Sequence, residues 1–209
     1  MELSSLTSPN LKVKQNCLKP ILSGFYAHHI KKREDFPTLI DRMGLKTGVE
    51  LGVWTGNYSD YLLSKSSLEK LYSIDAWCDD TEKVHATFVK KRVENGAIEK
   101  YYEEAKEKLS KYGPRSEIIR GISWEQVSRF ENESLDFIYV DASHIYSGVS
   151  YDLLAWWPKL REGGLFAGHD YMYKYRYGVM EAVNGFMCEK QQILHLTSDD
   201  VRTGQLPND

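Results

Sequence analysis

Gly48-Val-Glu-Leu-Gly-Val-Trp-Thr-Gly56-Asn-Tyr-Ser59 is the stretch that decides the fold. A short apolar strand ends at Leu51, Gly52 and Gly56 follow, and a helix begins directly after them. Glycines at such a turn permit positive φ and let a ligand approach the backbone closely. The helix N-terminus beyond offers free N–H groups and the positive end of a dipole, which suits a carboxylate or a phosphate. A nucleotide-type site also needs an acid after the second strand to hold ribose hydroxyls. Asp75 stands there, closing Leu71-Tyr-Ser-Ile-Asp75 one βαβ step beyond Glu50. Ala76 follows, and then Trp77, whose flat side chain can cover an adenine face. Together these residues predict a nucleoside-containing cofactor over the first turn.

Outward from this segment, short apolar runs alternate with helical stretches, the pattern of βαβ units and a parallel sheet. Strands are expected at 47–51, 70–74, 117–119, 135–140, 164–167 and 193–196, with helices at 58–65, 81–95, 98–112, 124–129, 146–160 and 178–190. The fold class is therefore α/β, Rossmann-like, with a mostly parallel central sheet flanked by helices. Residues 1–43 read as a polar lead-in followed by one or two helices, and residues 44–209 as the cofactor-binding domain. The stretch 78–95 is longer than a crossover needs. It reads either as an insertion near the substrate or as an ordinary outer helix.

The 209 residues fit one large domain, since domains typically run about 100–200 residues. Hydrophobic residues at 42% and charged residues at 27% allow a real core. A net charge of −3 with no basic tract argues against a nucleic-acid partner. No run approaches the roughly 18 apolar residues of a membrane span, and the N-terminus has no apolar secretory signal. Cys17, Cys78 and Cys188 are far apart and form no paired motif. They predict neither a disulfide framework nor a zinc site, and a cytoplasmic location.

Two further segments carry chemistry. Phe137-Ile-Tyr-Val140 is a buried strand, so Asp141 emerges at its carboxyl end, followed by His144. Leu165-Phe-Ala167 is another, and His169 and Asp170 emerge at its end. In an open parallel sheet, ligands bind outside the carboxyl ends of the strands, and neighbouring strands lie about 4.8 Å apart. Asp141, His169 and Asp170 are thus expected to converge beside the cofactor. The loop after the third strand, Arg120-Gly121-Ile-Ser123-Trp124, is expected to contact the adenine through Gly121 and Ser123, although Ser123 also reads as a plain helix N-cap. Tyr171-Met-Tyr-Lys-Tyr-Arg-Tyr177 can wall an aromatic or sugar-like acceptor.

The turn Glu50-Leu-Gly52-x-x-x-Gly56 resembles motif I of the class I S-adenosylmethionine methyltransferases. The run from Val140-Asp-x-x-His-x-Tyr146 through Asp152-Leu-x-x-Trp-x-Pro-Lys-Leu-x-x-Gly-Gly164 to Gly168-His-Asp-Tyr171 is similar to methyltransferase family 24. Members of that family are sometimes called cephalosporin hydroxylase-like and are related to macrolide-sugar and catechol O-methyltransferases. The resemblance covers roughly residues 48–196. It implies S-adenosylmethionine as cofactor, held by Glu50, Leu51, Gly52, Gly56, Asn57, Ser59, Asp75, Ala76, Trp77, Gly121, Ser123 and Asp141. It also implies methyl transfer to a hydroxyl of a small molecule.

In metal-dependent relatives, carboxylate or amide side chains at the ends of these two strands bind Mg²⁺. Asp141 and Asp170 match those places, and His169 stands where the relatives usually carry Asp. Imidazole suits Mn, Fe, Zn or Co better than Mg, which prefers an all-oxygen shell. The expected metal set is Asp141, His169 and Asp170. Alternatively, the two aspartates hold the loops or the cofactor's methionine end without an ion. A hydroxyl acceptor needs a base or a metal to become nucleophilic. His144 is the preferred base, with His169 and Asp170 completing the expected catalytic group.

Two rival readings stand beside this one. An NAD-linked oxidoreductase would want a third, close-packing glycine that the turn lacks. A non-catalytic cofactor-binding module would have no use for Asp141, His144, His169 and Asp170. Class I enzymes finish with a hairpin of a sixth and a seventh strand. Here 193–196 is expected as the sixth, and the polar stretch 197–209 supplies no convincing seventh. An edge left open in this way would suit a homodimer.

Overall fold

The computed structural model describes residues 30–78, 96–171 and 178–197. Five strands form one sheet: β1 Thr47–Leu51, β2 Lys70–Asp75, β3 Ser116–Arg120, β4 Leu135–Val140 and β5 Leu160–Gly168. Their order is β3-β2-β1-β4-β5, and every pairing is parallel. The helices are α1 Phe36–Met43, α2 Asn57–Lys65, α3 Ala97–Ser110, α4 Ser123–Gln126, α5 Tyr146–Trp156 and α6 Val179–Lys190. No helix among the described residues is long and apolar enough to cross a membrane.

Alternation along the strands divides the core. Leu71, Phe137, Tyr139 and Leu165 pack under Leu39 and Ile40 of α1, Leu62 and Leu63 of α2, and Leu109 of α3. Val49, Leu51, Ile74, Ile138 and Val140 point to the other face, against Trp156 of α5. A strand covered on both faces reads as a near-continuous apolar run, which is why β1 and β4 were so legible. α6 packs on α5 through Val179, Ala182, Phe186, Val149 and Leu153.

Some expectations need correction. Residues 193–196 are not a strand: they pair with nothing in the sheet, and Ile193, Leu194 and Leu196 are 71%, 36% and 49% exposed. An apolar run becomes a strand only where an edge accepts its N–H and C=O groups. This one leaves α6 through Gln191, whose left-handed φ is 53°, without reaching β5. β5 begins four residues earlier than expected, because a register irregularity lets Leu135 face Leu160 while Phe137 faces Leu165. The helix expected over 146–160 ends at Trp156, and Trp157–Lys159 tightens to a 3₁₀ turn at Pro158, which has no N–H to continue the helical ladder. The helix expected over 124–129 is one α turn, α4, followed by a 3₁₀ turn at Val127–Arg129. The helix expected over 81–95, the start of the N-terminal lead-in and most of the 171–177 tyrosine run lie outside the described residues.

Candidate active site

The chain leaves β1 toward β2 and β3 on one side, while β4 and β5 lie on the other. Strand order therefore switches between β1 and β4, and a crevice opens above their carboxyl ends. Two bonds extend the ladder past the strands: the Asp141 N–H donates to the Leu51 carbonyl at 2.7 Å, and the Gly52 N–H to the Ile74 carbonyl at 2.8 Å. Gly52 consequently lies against Asp141. A Cβ on Gly52, whose φ is +89°, would stand 2.0 Å from the Asp141 carbonyl oxygen, so no other residue fits. Above this junction is a cleft of about 800 Å³.

Eleven of the expected site residues line the cleft: Glu50, Gly52, Asn57, Asp75, Ala76, Trp77, Ser123, Asp141, His144, His169 and Asp170. Four others act behind it. Leu51 is core. The Ser59 hydroxyl donates to the Glu50 carboxylate and lies 2.8 Å from the Ser73 hydroxyl. Gly56 starts α2 in left-handed geometry and packs against Ala105 of α3. Gly121 donates its N–H to the Asp75 carbonyl at 2.8 Å and abuts Gln126.

Asp75 is a strut between two loops. Its Oδ2 accepts the Val53 and Trp54 N–H groups at 2.7 and 2.9 Å, and its Oδ1 accepts the Trp77 N–H at 3.0 Å. Among the described residues, one acceptor direction on Oδ1 is left unused. Trp77 is 4% exposed, packs with Val53 and Ala105, and donates its indole N–H to the Trp54 carbonyl at 2.8 Å. Ser123 does not cap α4. Its hydroxyl donates to the buried Asp152 on α5. Trp54, Trp77 and Asp170 all hold positive φ, at 55°, 34° and 58°, and all three line the cleft. Such geometry persists only where the surroundings enforce it, and it concentrates at functional sites.

At the other side of β1 the titratable groups converge. His144 Nε2 is 2.6 Å from Asp170 Oδ2, and His169 Nδ1 is 3.1 Å from Asp170 Oδ1. Both histidines also face Asp141 Oδ1, at 3.9 and 3.8 Å. The bonds to His144 and His169 hold the Asp170 carboxyl well below the usual carboxylate range, while the same bonds raise each histidine. Burial pushes Asp141 up to about 6, against the pull of His169 and Arg33. Burial likewise pushes Glu50 up to about 8, although Ser59 bonds to it. Asp141, His144 and Asp170 each offer one donor atom, all within 4.8 Å of one another. The metal-compatible trio in this geometry thus contains His144, with His169 beside it.

Arg33 is the site residue that sequence reasoning missed. It comes from a 3₁₀ turn, Arg33–Asp35, ahead of the domain core, with no motif around it. Its guanidinium lies 3.7 Å over the Tyr58 ring and 3.3 Å from Asp141 Oδ2. Trp54, Tyr61 and Tyr101 add aromatic surface to the cleft, with the Trp54 and Tyr101 rings 5.1 Å apart.

Comparison with known proteins agrees with this architecture. The family model for a methyltransferase domain matches residues 49–171. Among solved structures, a putative caffeoyl-CoA O-methyltransferase from Staphylococcus aureus superposes with a TM-score of 0.51 at 17% identity, covering 82% of this chain and 75% of that one. The O-methyltransferase from Bacillus cereus, in complex with SAH, gives 0.53 at 14% identity, covering 86% and 78%. The O-methyltransferase TomG from Streptomyces achromogenes, in complex with SAM, gives 0.50 at 12% identity, covering 81% and 69%. No curated protein matches the sequence.

Proposed function

Because this chain belongs to the family of methyltransferase domains, we propose that it moves a methyl group from S-adenosylmethionine to a hydroxyl of a small molecule. The observation that carries the reading is the cleft at the β1/β4 switch point, where the Gly52 backbone, the Asp75 carboxylate and the His144–Asp170 pair face one space. S-adenosylmethionine supplies a methyl on a sulfonium, which an acceptor oxygen takes by in-line displacement as the thioether leaves.

The chain's own residues then have distinct tasks. Asp75 Oδ1, which accepts only the Trp77 N–H among the described residues, would take a ribose hydroxyl. Glu50 and Asp141 face the methionine end, where an ammonium would sit, and the bare Gly52 backbone permits close approach. Ile122, Ser123 and Trp124 line the cleft on the side where the adenine would lie. His144 takes the acceptor's hydroxyl proton, and Asp170, bonded to its Nε2, orients the ring and stabilises the imidazolium that results. Trp54, Tyr61 and Tyr101 favour an aromatic or sugar-like acceptor. Asp141 and Asp170 with His144 or His169 would hold a divalent ion; two carboxylates and an imidazole suit Mn, Fe, Co or Zn better than Mg. Such an ion would lower the acceptor's pKa. A cytoplasmic setting belongs to the same reading and is supported by the free thiols of Cys78 and Cys188.

Calorimetry with S-adenosylmethionine, S-adenosylhomocysteine and NAD tests the cofactor. Heat and a thermal shift from NAD but not from the sulfonium would sink the proposal in favour of an oxidoreductase. Turnover tests the base: His144→Ala should lower kcat about 10²–10⁴-fold with S-adenosylhomocysteine affinity intact. Normal turnover in that variant removes His144 from the mechanism. A chelator tests the ion, and turnover indifferent to it would eliminate the metal.

A further inference from the structure

The observations about Arg33 go further than the family does. This residue precedes the matched segment, yet it reaches the cleft beside Glu50, Tyr58 and Asp141. Its bonding there is incomplete. The contact to Asp141, at 3.3 Å, is longer than the roughly 2.7–2.9 Å of a charge-assisted bond. Its Nε is buried and has no hydrogen-bond partner among the described residues. Burying an N–H without a partner is costly, and native structures seldom leave one so. The plane of the group, by contrast, is fixed, since it stacks 3.7 Å over Tyr58 in the first turn of α2. A rigid guanidinium with an idle edge is a fork waiting for a planar anion.

The strand order says which end of a bound ligand lies there. Asp75 and Asp141 flank the end of β1 on opposite sides, since β2 and β4 are its two neighbours. With the ribose on Asp75, the far end of the same ligand falls beside Asp141, Glu50 and Arg33. That end of S-adenosylmethionine is an α-amino acid, carrying one ammonium and one carboxylate. Two carboxylates and one guanidinium form the complementary set.

Resting on the cofactor reading above, we infer that Arg33 binds the cofactor's methionine carboxylate, giving up its loose contact with Asp141 and leaving that aspartate to the ammonium. The N-terminal turn is therefore part of the cofactor site, and a domain that began at the family boundary would lack it.

The test compares two nucleosides that differ in this end alone. S-adenosylhomocysteine has the amino acid; 5′-methylthioadenosine lacks it. Arg33→Met leaves an unbranched apolar side chain beside Tyr58 and should weaken S-adenosylhomocysteine about 10- to 100-fold by calorimetry, the loss of a charged hydrogen-bond pair. Methylthioadenosine should bind the variant and the wild type alike. Arg33→Lys, which retains the charge without the fork, should recover part of the loss. If Arg33→Met weakens both nucleosides equally, or neither, the inference is overturned while the methyltransferase reading stands. A wild-type protein that takes neither nucleoside overturns both.

Discussion

Glu50 shows at residue scale how burial prepares a site for a cation. The side chain is 1% exposed, and its carboxyl is pushed up to about 8 by burial. At pH 7 it therefore keeps its proton in the ligand-free state. An ammonium arriving beside it favours the ionised form and lowers that pKa, so binding must release protons. We expect S-adenosylmethionine to release up to about one proton per site at pH 7, read as different calorimetric heats in buffers of different ionisation enthalpy. The release should fade well above pH 8, where Glu50 is already ionised, and vanish in Glu50→Gln. Equal heats in all buffers at pH 7 would contradict the assignment. Glu50 was readable beforehand because it sits inside a strand-turn-helix pattern. Arg33 was not, because nothing in its local sequence distinguishes an arginine that folds onto Tyr58 from one that faces water.

The decisive element is the turn between β1 and α2. Its conformation depends on Gly52 and on Asp75, which gathers three backbone N–H groups from two loops. An acid predicted to bind ribose thus also braces the turn that shapes the pocket. Asp75→Ala should accordingly cost about 1–3 kcal/mol of stability as well as cofactor affinity, because the amides lose a charged acceptor. Urea denaturation checks this: an unchanged midpoint would mean that the turn holds without Asp75. Elements bounded by strong periodicity were legible to within a residue or two, as β1, β4 and α2 show. β5 was legible only in part, since the register irregularity between Leu135 and Phe137 belongs to its pairing with β4 and not to its own composition. The run at 193–196 had a strand's pattern but no partner edge.

At the scale of the whole molecule, the sheet order places α4 and α5 together beside the cleft and buries Asp152 between them. Its side chain is 0% exposed, accepts the Ser123 hydroxyl, and has Oδ2 without a partner among the described residues. Burial pushes its pKa up to about 7, above the ordinary aspartate value. The folded state then binds a proton that the unfolded chain gives up near pH 4, so stability falls as pH rises from about 4 to 7. Ionised Asp152 costs up to about 4 kcal/mol above that window. Asp152→Asn keeps an acceptor for Ser123 and removes the charge. Its advantage over wild type should therefore grow between pH 4 and pH 7 in chemical denaturation. A pH-independent difference would show that the carboxyl ionises freely when folded.

The sequence alone determined the parallel α/β architecture, the glycine turn and the acid after β2, because each is encoded within a few neighbouring residues by hydrophobic run, spacing and backbone permission. It also located Asp141, His144, His169 and Asp170 at strand exits, since an apolar strand ending in polar residues marks the carboxyl edge of a sheet. Only the tertiary structure decided how those groups pair, that Asp75 braces the turn, and that Arg33 joins them. Those facts depend on side chains meeting across elements far apart in the chain, where distance and burial follow from packing and not from local pattern.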